Sequence, residues 1–179
     1  MEGNHLMKTG VHMNYRIRKI SEDEYDILAD FLYEAIFIPE GVSSLPRDII
    51  QKPELQVYLT DFGKRAGDMG LVAEVDNKIA GAVWVRVMND YGHIDNDTPS
   101  FAISLYKEYR NRGIGTAMMK EMLSLLKKNG YKRASLAVQK ANYAVKMYKD
   151  VGFEIVGEND EEFIMAVDLE GRGVVDICR

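Results

Sequence analysis

The sequence lacks the raw material for a disulfide, a zinc centre or a membrane span. Its one cysteine, Cys178, leaves no intrachain bridge to form. Three histidines and that single thiol offer no cysteine–histidine cluster for a metal. The apolar runs fall far short of the roughly 20 residues a spanning helix needs, and the first residues lack the apolar core of a signal peptide. The expected setting is soluble, reducing and cytoplasmic, with no metal and no membrane partner. Only four prolines interrupt the chain, and there is no internal repeat or low-complexity segment.

What the sequence does hold is 46% apolar and 28% charged residues in a length of 179, enough for one domain with a sizeable core. Residues 1–13 show no period and read as an N-terminal tail, with Met13 a candidate start. Residues 14–170 read as a single domain and 171–179 as a C-terminal tail. The net charge is −5, unevenly spread. Lys107 to Lys149 carries 11 Lys and Arg against 2 Asp and Glu, which leaves 12 basic and 26 acidic residues elsewhere. A basic block of this kind is either a solvated face or a seat for an anion. The acidic remainder argues against a nucleic-acid surface.

Apolar periodicity predicts the elements. Tyr15–Ile20 alternates as a strand, and Ser21 with Glu24 forms a capping box that opens a helix to about Phe37. Pro39, Gly41 and Pro46 break the chain, and a second helix follows Pro53. Strands at Leu71–Val75 and Ile79–Val87 flank a tight turn at Asp76–Lys78, with Gly81 marking a bulge or a close backbone approach. Phe101–Tyr106 is a strand. The next helix places Ile114, Met118, Met122, Leu125 and Leu126 on one stripe and stops at Asn129-Gly130. A strand at Ala134–Val138, a short helix at Asn142–Lys149, and strands at Phe153–Val156 and Glu162–Leu169 complete a mixed α/β arrangement.

Gly113 and Gly115 stand between the strand at Phe101–Tyr106 and the helix it feeds. Glycines there let backbone approach a ligand, and the helix's first N–H groups suit a phosphate. The P-loop pattern G-x-x-x-x-G-K-S/T is absent. A dinucleotide fingerprint fails at its third glycine, replaced by Met118, and the next strand ends in Ala137-Val138-Gln139 without a ribose-binding carboxylate. Two glycines alone could be tight-turn residues.

Two longer patterns say more. Ile103 through Arg110-Asn111-Arg112-Gly113-Ile114-Gly115-Thr116 resembles the Q/R-x-x-G-x-G/A signature of GNAT-type N-acetyltransferases after a strand. Val138 through Asn142, Ala144, Tyr148, Gly152 and Phe153 is similar to that family's second conserved run. The resemblance covers about Tyr15 to Leu169 in element order. It implies an α/β (α+β) fold, a mostly antiparallel mixed sheet of six to seven strands with helices on both faces. It also implies acetyl-CoA as cosubstrate and direct transfer to an amine in a ternary complex.

By that resemblance, the cofactor-binding residues are Ile103, Ser104 and Leu105 along the pantetheine arm, and Arg110, Asn111, Arg112, Gly113, Ile114, Gly115 and Thr116 around the pyrophosphate. Asn142 either caps its helix or also contacts the cofactor. Tyr148 is the catalytic candidate, near the CoA sulfur, or else core filler. For the base, His93, Asp95, Asp97, Glu34 and Glu40 are candidates, with His93 preferred and a water chain as the alternative. The acceptor is a small or protein-borne amine, with the acidic N-terminal half favouring a cationic one. A homodimer is left open. The competing function is a CoA-binding sensor module that keeps the pocket without the chemistry.

Overall fold

The computed structural model describes residues 14–171. The expected N-terminal tail, Cys178 and the C-terminal tail beyond Gly171 lie outside them. The elements in chain order are β1 (Tyr15–Lys19), α1 (Ile27–Ala35), α2 (Pro53–Gln56), β2 (Met69–Val75), β3 (Lys78–Arg86), β4 (Ser100–Leu105), α3 (Ile114–Lys128), β5 (Arg133–Gln139), α4 (Ala144–Asp150), β6 (Glu154–Glu158) and β7 (Glu162–Asp168). The strands form one sheet in the order β1-β2-β3-β4-β5-β7-β6. Neighbours are antiparallel except β4 and β5, which run parallel and are joined at a single register pair, Ser100 with Ser135. No helix among the described residues is long and apolar enough to cross a membrane.

Strand alternation sends apolar side chains to both faces, and each face is covered. Val83 and Val85 of β3 meet α3 through Met118, Met119 and Met122. Ala82 and Trp84, on the opposite face, pack with Leu28, Phe31 and Leu32 of α1. The predicted stripe of α3 is correct in period but omits Met119, which is fully buried. Leu125 is only partly buried.

The β2–β3 turn is two residues, Asp76 and Asn77, both at positive φ (49° and 62°). That geometry matches the twist of a tight hairpin. Both readings of Gly81 hold. The register slips beside it, and a Cβ at Gly81 would lie 2.7 Å from Leu105 Cγ and 2.8 Å from Ser104 O.

The helix expected from Ser21 is shorter than predicted. The Ser21 N–H does donate to Glu24 Oε2 (2.9 Å), but the box closes a single 3-10 turn at Glu22–Glu24. Glu24 also holds Arg18 of β1 through both oxygens, at 2.8 and 2.7 Å. The turn is thereby fastened to the sheet, and α1 starts afresh at Ile27.

Candidate active site

Parallel strands joined at one pair must diverge beyond it, and the gap between β4 and β5 opens two cavities. The larger, about 730 Å³, is lined by the end of β4, the glycine loop, the start of α3, α4 and the segment after α1. The smaller, about 350 Å³, lies toward α2 and β5 and is lined mainly by apolar and aromatic side chains, among them Leu55, Tyr58, Phe101 and Val138. Ile103, Asn142 and Tyr148 line both.

The glycine loop is shaped for the larger cavity. Asn111 and Gly113 both take left-handed φ, 59° and 80°. A Cβ on Gly113 would meet nothing within 4 Å. Glycine is therefore required there for its dihedral angle and not for space. At Gly115 a Cβ would sit 3.3 Å from Leu105 Cδ1 and 3.4 Å from Met147 Sδ, at the close meeting of α3, β4 and α4. The first bond inside α3 runs from Ala117 N–H to the Gly113 carbonyl, 3.1 Å. No intrahelical acceptor serves the N–H groups of Ile114, Gly115 and Thr116. With the helix dipole, they make an anion seat at the cavity mouth.

Of the residues singled out in the sequence, Ile103, Ser104, Leu105, Arg110, Asn111, Gly113, Gly115, Thr116, Asn142 and Tyr148 all line the larger cavity. Arg112 is exposed and outside the lining, and the Ile114 side chain is 1% exposed, in the core, so only its backbone faces a ligand. Arg110 is committed elsewhere. Its Nε donates to the Leu105 carbonyl (2.8 Å) and its Nη2 pairs with Glu34 (2.9 Å), fastening the loop to β4 and α1. Ser104 Oγ donates to the Phe31 carbonyl at 2.6 Å.

Asn142 does cap its helix: its Oδ1 accepts the Ala144 N–H at 2.9 Å. Tyr148 is 8% exposed and packs edge-on to Phe153, ring centroids 6.1 Å apart. Burial, with a smaller contribution from Tyr143, pushes its hydroxyl pKa above the ordinary phenol value. No protein group among the described residues hydrogen-bonds that hydroxyl.

The candidate bases fare differently. His93 lines neither cavity, and its Nδ1 lies 2.9 Å from the Met88 carbonyl. Asp95 accepts the Asp97 N–H at 2.9 Å and is held below its ordinary pKa, first by the Thr98 hydroxyl; neither Asp95 nor Asp97 reaches the cavities. Glu34 and Glu40 line the larger cavity, Glu34 already paired with Arg110.

Two polar groupings have no signature in the sequence. Arg86 and Asp68 form a fully buried pair at 2.8 Å, and Arg86 also donates to the carbonyls of Val57 and Thr60, both at 2.9 Å. This fixes the turn after α2. Tyr58, Asp90, Ser100 and Ser135 form a chain: the Tyr58 hydroxyl donates to Asp90 Oδ2 (2.7 Å), Ser100 Oγ to Asp90 Oδ1 (2.8 Å), and the two serine oxygens lie 3.2 Å apart.

The basic block is also less concentrated in space than in sequence. Four of its eleven cations pair with carboxylates from outside it: Arg110 with Glu34, Lys132 with Glu170, Lys140 with Glu158 and Lys146 with Asp150. The anion seat therefore owes more to the α3 amides than to side-chain charge.

A strand-edge cleft ending on unpaired helix amides fits a long, anionic ligand of the CoA type. Residues 30–153 match the model of the Acetyltransferase (GNAT) family. The chain is 23% identical over 166 residues to a spermidine N(1)-acetyltransferase of Thermoplasma acidophilum, covering 88% of this chain and 99% of that protein. It is 30% identical over 102 residues to a probable N-acetyltransferase, san, of Drosophila melanogaster, over 55% of this chain; the match spans about half, 53%, of that relative. Its fold is shared by the paia N-acetyltransferase of Thermoplasma acidophilum solved in complex with coenzyme A (TM-score 0.65, 20% identity, 87% of this chain and 99% of that one). The same holds for an acetyltransferase of the GNAT family from Streptococcus pneumoniae (TM-score 0.63, 22% identity, 87% and 99%). With more than two thirds of its length matched by the family model, this chain belongs to the acetyltransferase (GNAT) family, in which acetyl transfer from acetyl-CoA is the general chemistry.

Proposed function

We propose that this chain transfers acetyl from acetyl-CoA directly to a primary amine within a ternary complex. The observation that carries the reading is Tyr148, buried at the junction of two cavities with its hydroxyl unpartnered by protein. One cavity has the anion seat; the other suits a second substrate. Acetyl-CoA supplies an activated thioester carbonyl, which a neutral amine attacks with the thiolate as leaving group.

In this reading the N–H groups at the start of α3 hold the pyrophosphate, with Asn111 and Gly113 shaping the loop. Ile103 to Leu105 offer an open strand edge, on which backbone N–H meets the developing oxyanion. The Asn142 amide nitrogen is free to face the cofactor while Oδ1 caps α4. Tyr148 donates a hydrogen bond that strengthens as charge builds on sulfur. A phenol, ordinarily near pKa 10 against about 8.5 for a thiol, and pushed higher here, gives up its proton reluctantly.

The acceptor enters the smaller cavity. Its lining includes Glu161 and Glu162 and no lysine or arginine, which favours a cationic amine. Spermidine, the substrate that the Thermoplasma relative is named for, is of that class. Initial rates over varied acetyl-CoA and amine should give intersecting lines, with no acetylated protein by mass spectrometry. Parallel lines with an acetyl-enzyme would overturn direct transfer. CoA binding without transfer to any amine would favour the sensor module.

A further inference from the structure

Behind Tyr58, in the wall of the smaller cavity, lies a carboxylate with no cation of its own. Asp90 lies in the loop between β3 and β4 and accepts hydrogen bonds from Tyr58 (2.7 Å) and Ser100 (2.8 Å). No lysine or arginine among the described residues is paired with it. Besides Asp90, the titratable groups acting on Tyr58 are Glu162 on β7 and Tyr91, and Tyr91 is in turn near Glu54 on α2. His93, three residues on, directs its Nδ1 to the Met88 carbonyl instead.

Tyr58 is the member of the chain that lines the cavity. It is 8% exposed, and its backbone is fixed from β3, where Trp84 Nε1 donates to its carbonyl at 3.1 Å. Its one proton is given to Asp90, so toward a ligand its oxygen can only accept. Burial and the nearby Asp90 charge raise its pKa, which keeps it a phenol and not a phenolate. A phenol bonded to a carboxylate can accept one proton while releasing another, with no phenolate formed in between.

We propose that Tyr58 is a catalytic residue that accepts the proton of the attacking amine and relays it to Asp90. The inference rests on the direct-transfer reading and assigns the proton acceptor that reading leaves open. As the C–N bond forms and the C–S bond breaks, the amine N–H proton passes to Tyr58 Oη. The Tyr58 proton passes to Asp90 Oδ2, leaving a neutral Asp90, an amide and the thiolate. Asp90 is half-buried and returns its proton to solvent. Asp90 acts only through Tyr58. Its other oxygen, on Ser100, ties the relay to the one register pair that holds β4 against β5.

The same chain could serve only as a staple between strands, and the test separates the two roles. Tyr58→Phe, Asp90→Asn and Ser135→Ala are compared with wild type by single-turnover acetyl transfer, CoA calorimetry and thermal melts. Tyr58→Phe and Asp90→Asn should transfer about 100-fold more slowly, in the range of general base help, with CoA affinity unchanged. Ser135→Ala, which weakens only the staple, should melt earlier and transfer at the wild-type rate. The loss in Tyr58→Phe and Asp90→Asn should fall on the rate at saturating amine and leave the KM for the amine unchanged. Wild-type rates in both Tyr58→Phe and Asp90→Asn, or a loss confined to the KM for the amine, overturn the relay while leaving direct transfer standing. A wild-type protein that acetylates no amine overturns both.

Discussion

Tyr148 shows how far a single residue can be read from sequence. Its spacing from Asn142 and Gly152 identified it, yet spacing could not say whether its hydroxyl was buried in packing or aimed into space. The structure gives it both a core neighbour, Phe153, and a place in both cavities. Phenylalanine keeps the packing and removes only the hydroxyl, so Tyr148→Phe should melt like wild type and bind CoA equally well. Its single-turnover rate should fall by up to about 100-fold, since a hydrogen bond without full proton transfer belongs at the low end of acid–base help. Equal single-turnover rates would return Tyr148 to the core. Arg86 and Asp68 are the opposite case. They sit 18 residues apart with no local pattern, and only the fold reveals a buried pair whose donors and acceptors are all used. Tyr58 and Asp90, 32 residues apart, were illegible for the same reason. His93 was preferred on residue type alone, which carries no information about direction, and its ring nitrogen serves a loop carbonyl.

At the scale of elements, period and turn chemistry carried most of the fold, because they are local. The seven strands, the hairpin at Asp76-Asn77 and the stripe of α3 all follow from them. The start of α1 did not, because the capping box at Ser21 closes only a 3-10 turn, held to β1 through Glu24 and Arg18, and α1 begins afresh at Ile27. The single β4–β5 pair was equally hidden, since nothing in either strand's composition records where pairing stops. The junction of loop and α3 is where sequence and structure agree most closely, and it yields a prediction. A valine at Gly115 would press on Leu105 Cδ1 and Met147 Sδ, both mobile ends of side chains, so the fold should survive. The same branched group stands among the free amides and keeps a phosphate from them. Gly115→Val should lose most of its CoA affinity by calorimetry, with a melt close to wild type. Unchanged affinity in the folded variant would move the pyrophosphate away from α3.

Over the whole molecule, the gap between β4 and β5 opens two adjoining cavities of different electrical character. The larger cavity has the free backbone amides of α3 at its mouth, while four of the eleven cations of the basic block face carboxylates from outside it. Charge counted along the chain could not anticipate that pairing. The smaller cavity is the reverse: Glu161 and Glu162 line it, neither is ion-paired among the described residues, and no cationic side chain joins them. Their separation from the anion seat means that one can be changed without the other. A Glu161→Gln/Glu162→Gln double variant removes two charges and little volume. Near a surface, one charge pair at contact contributes a few kcal/mol at most before screening, and exposure reduces this to about 1 kcal/mol or less. The KM for a diamine should therefore rise by up to about 30-fold, the ceiling for two such contacts. Acetyl-CoA affinity should be unchanged, and so should the KM for a monoamine that carries no second charge. Added salt should raise the diamine KM of wild type toward that of the variant, as exposed charges are screened beyond about 8 Å at physiological ionic strength. A diamine KM that is the same in both proteins, at low salt as at high, would show that the second charge is met elsewhere.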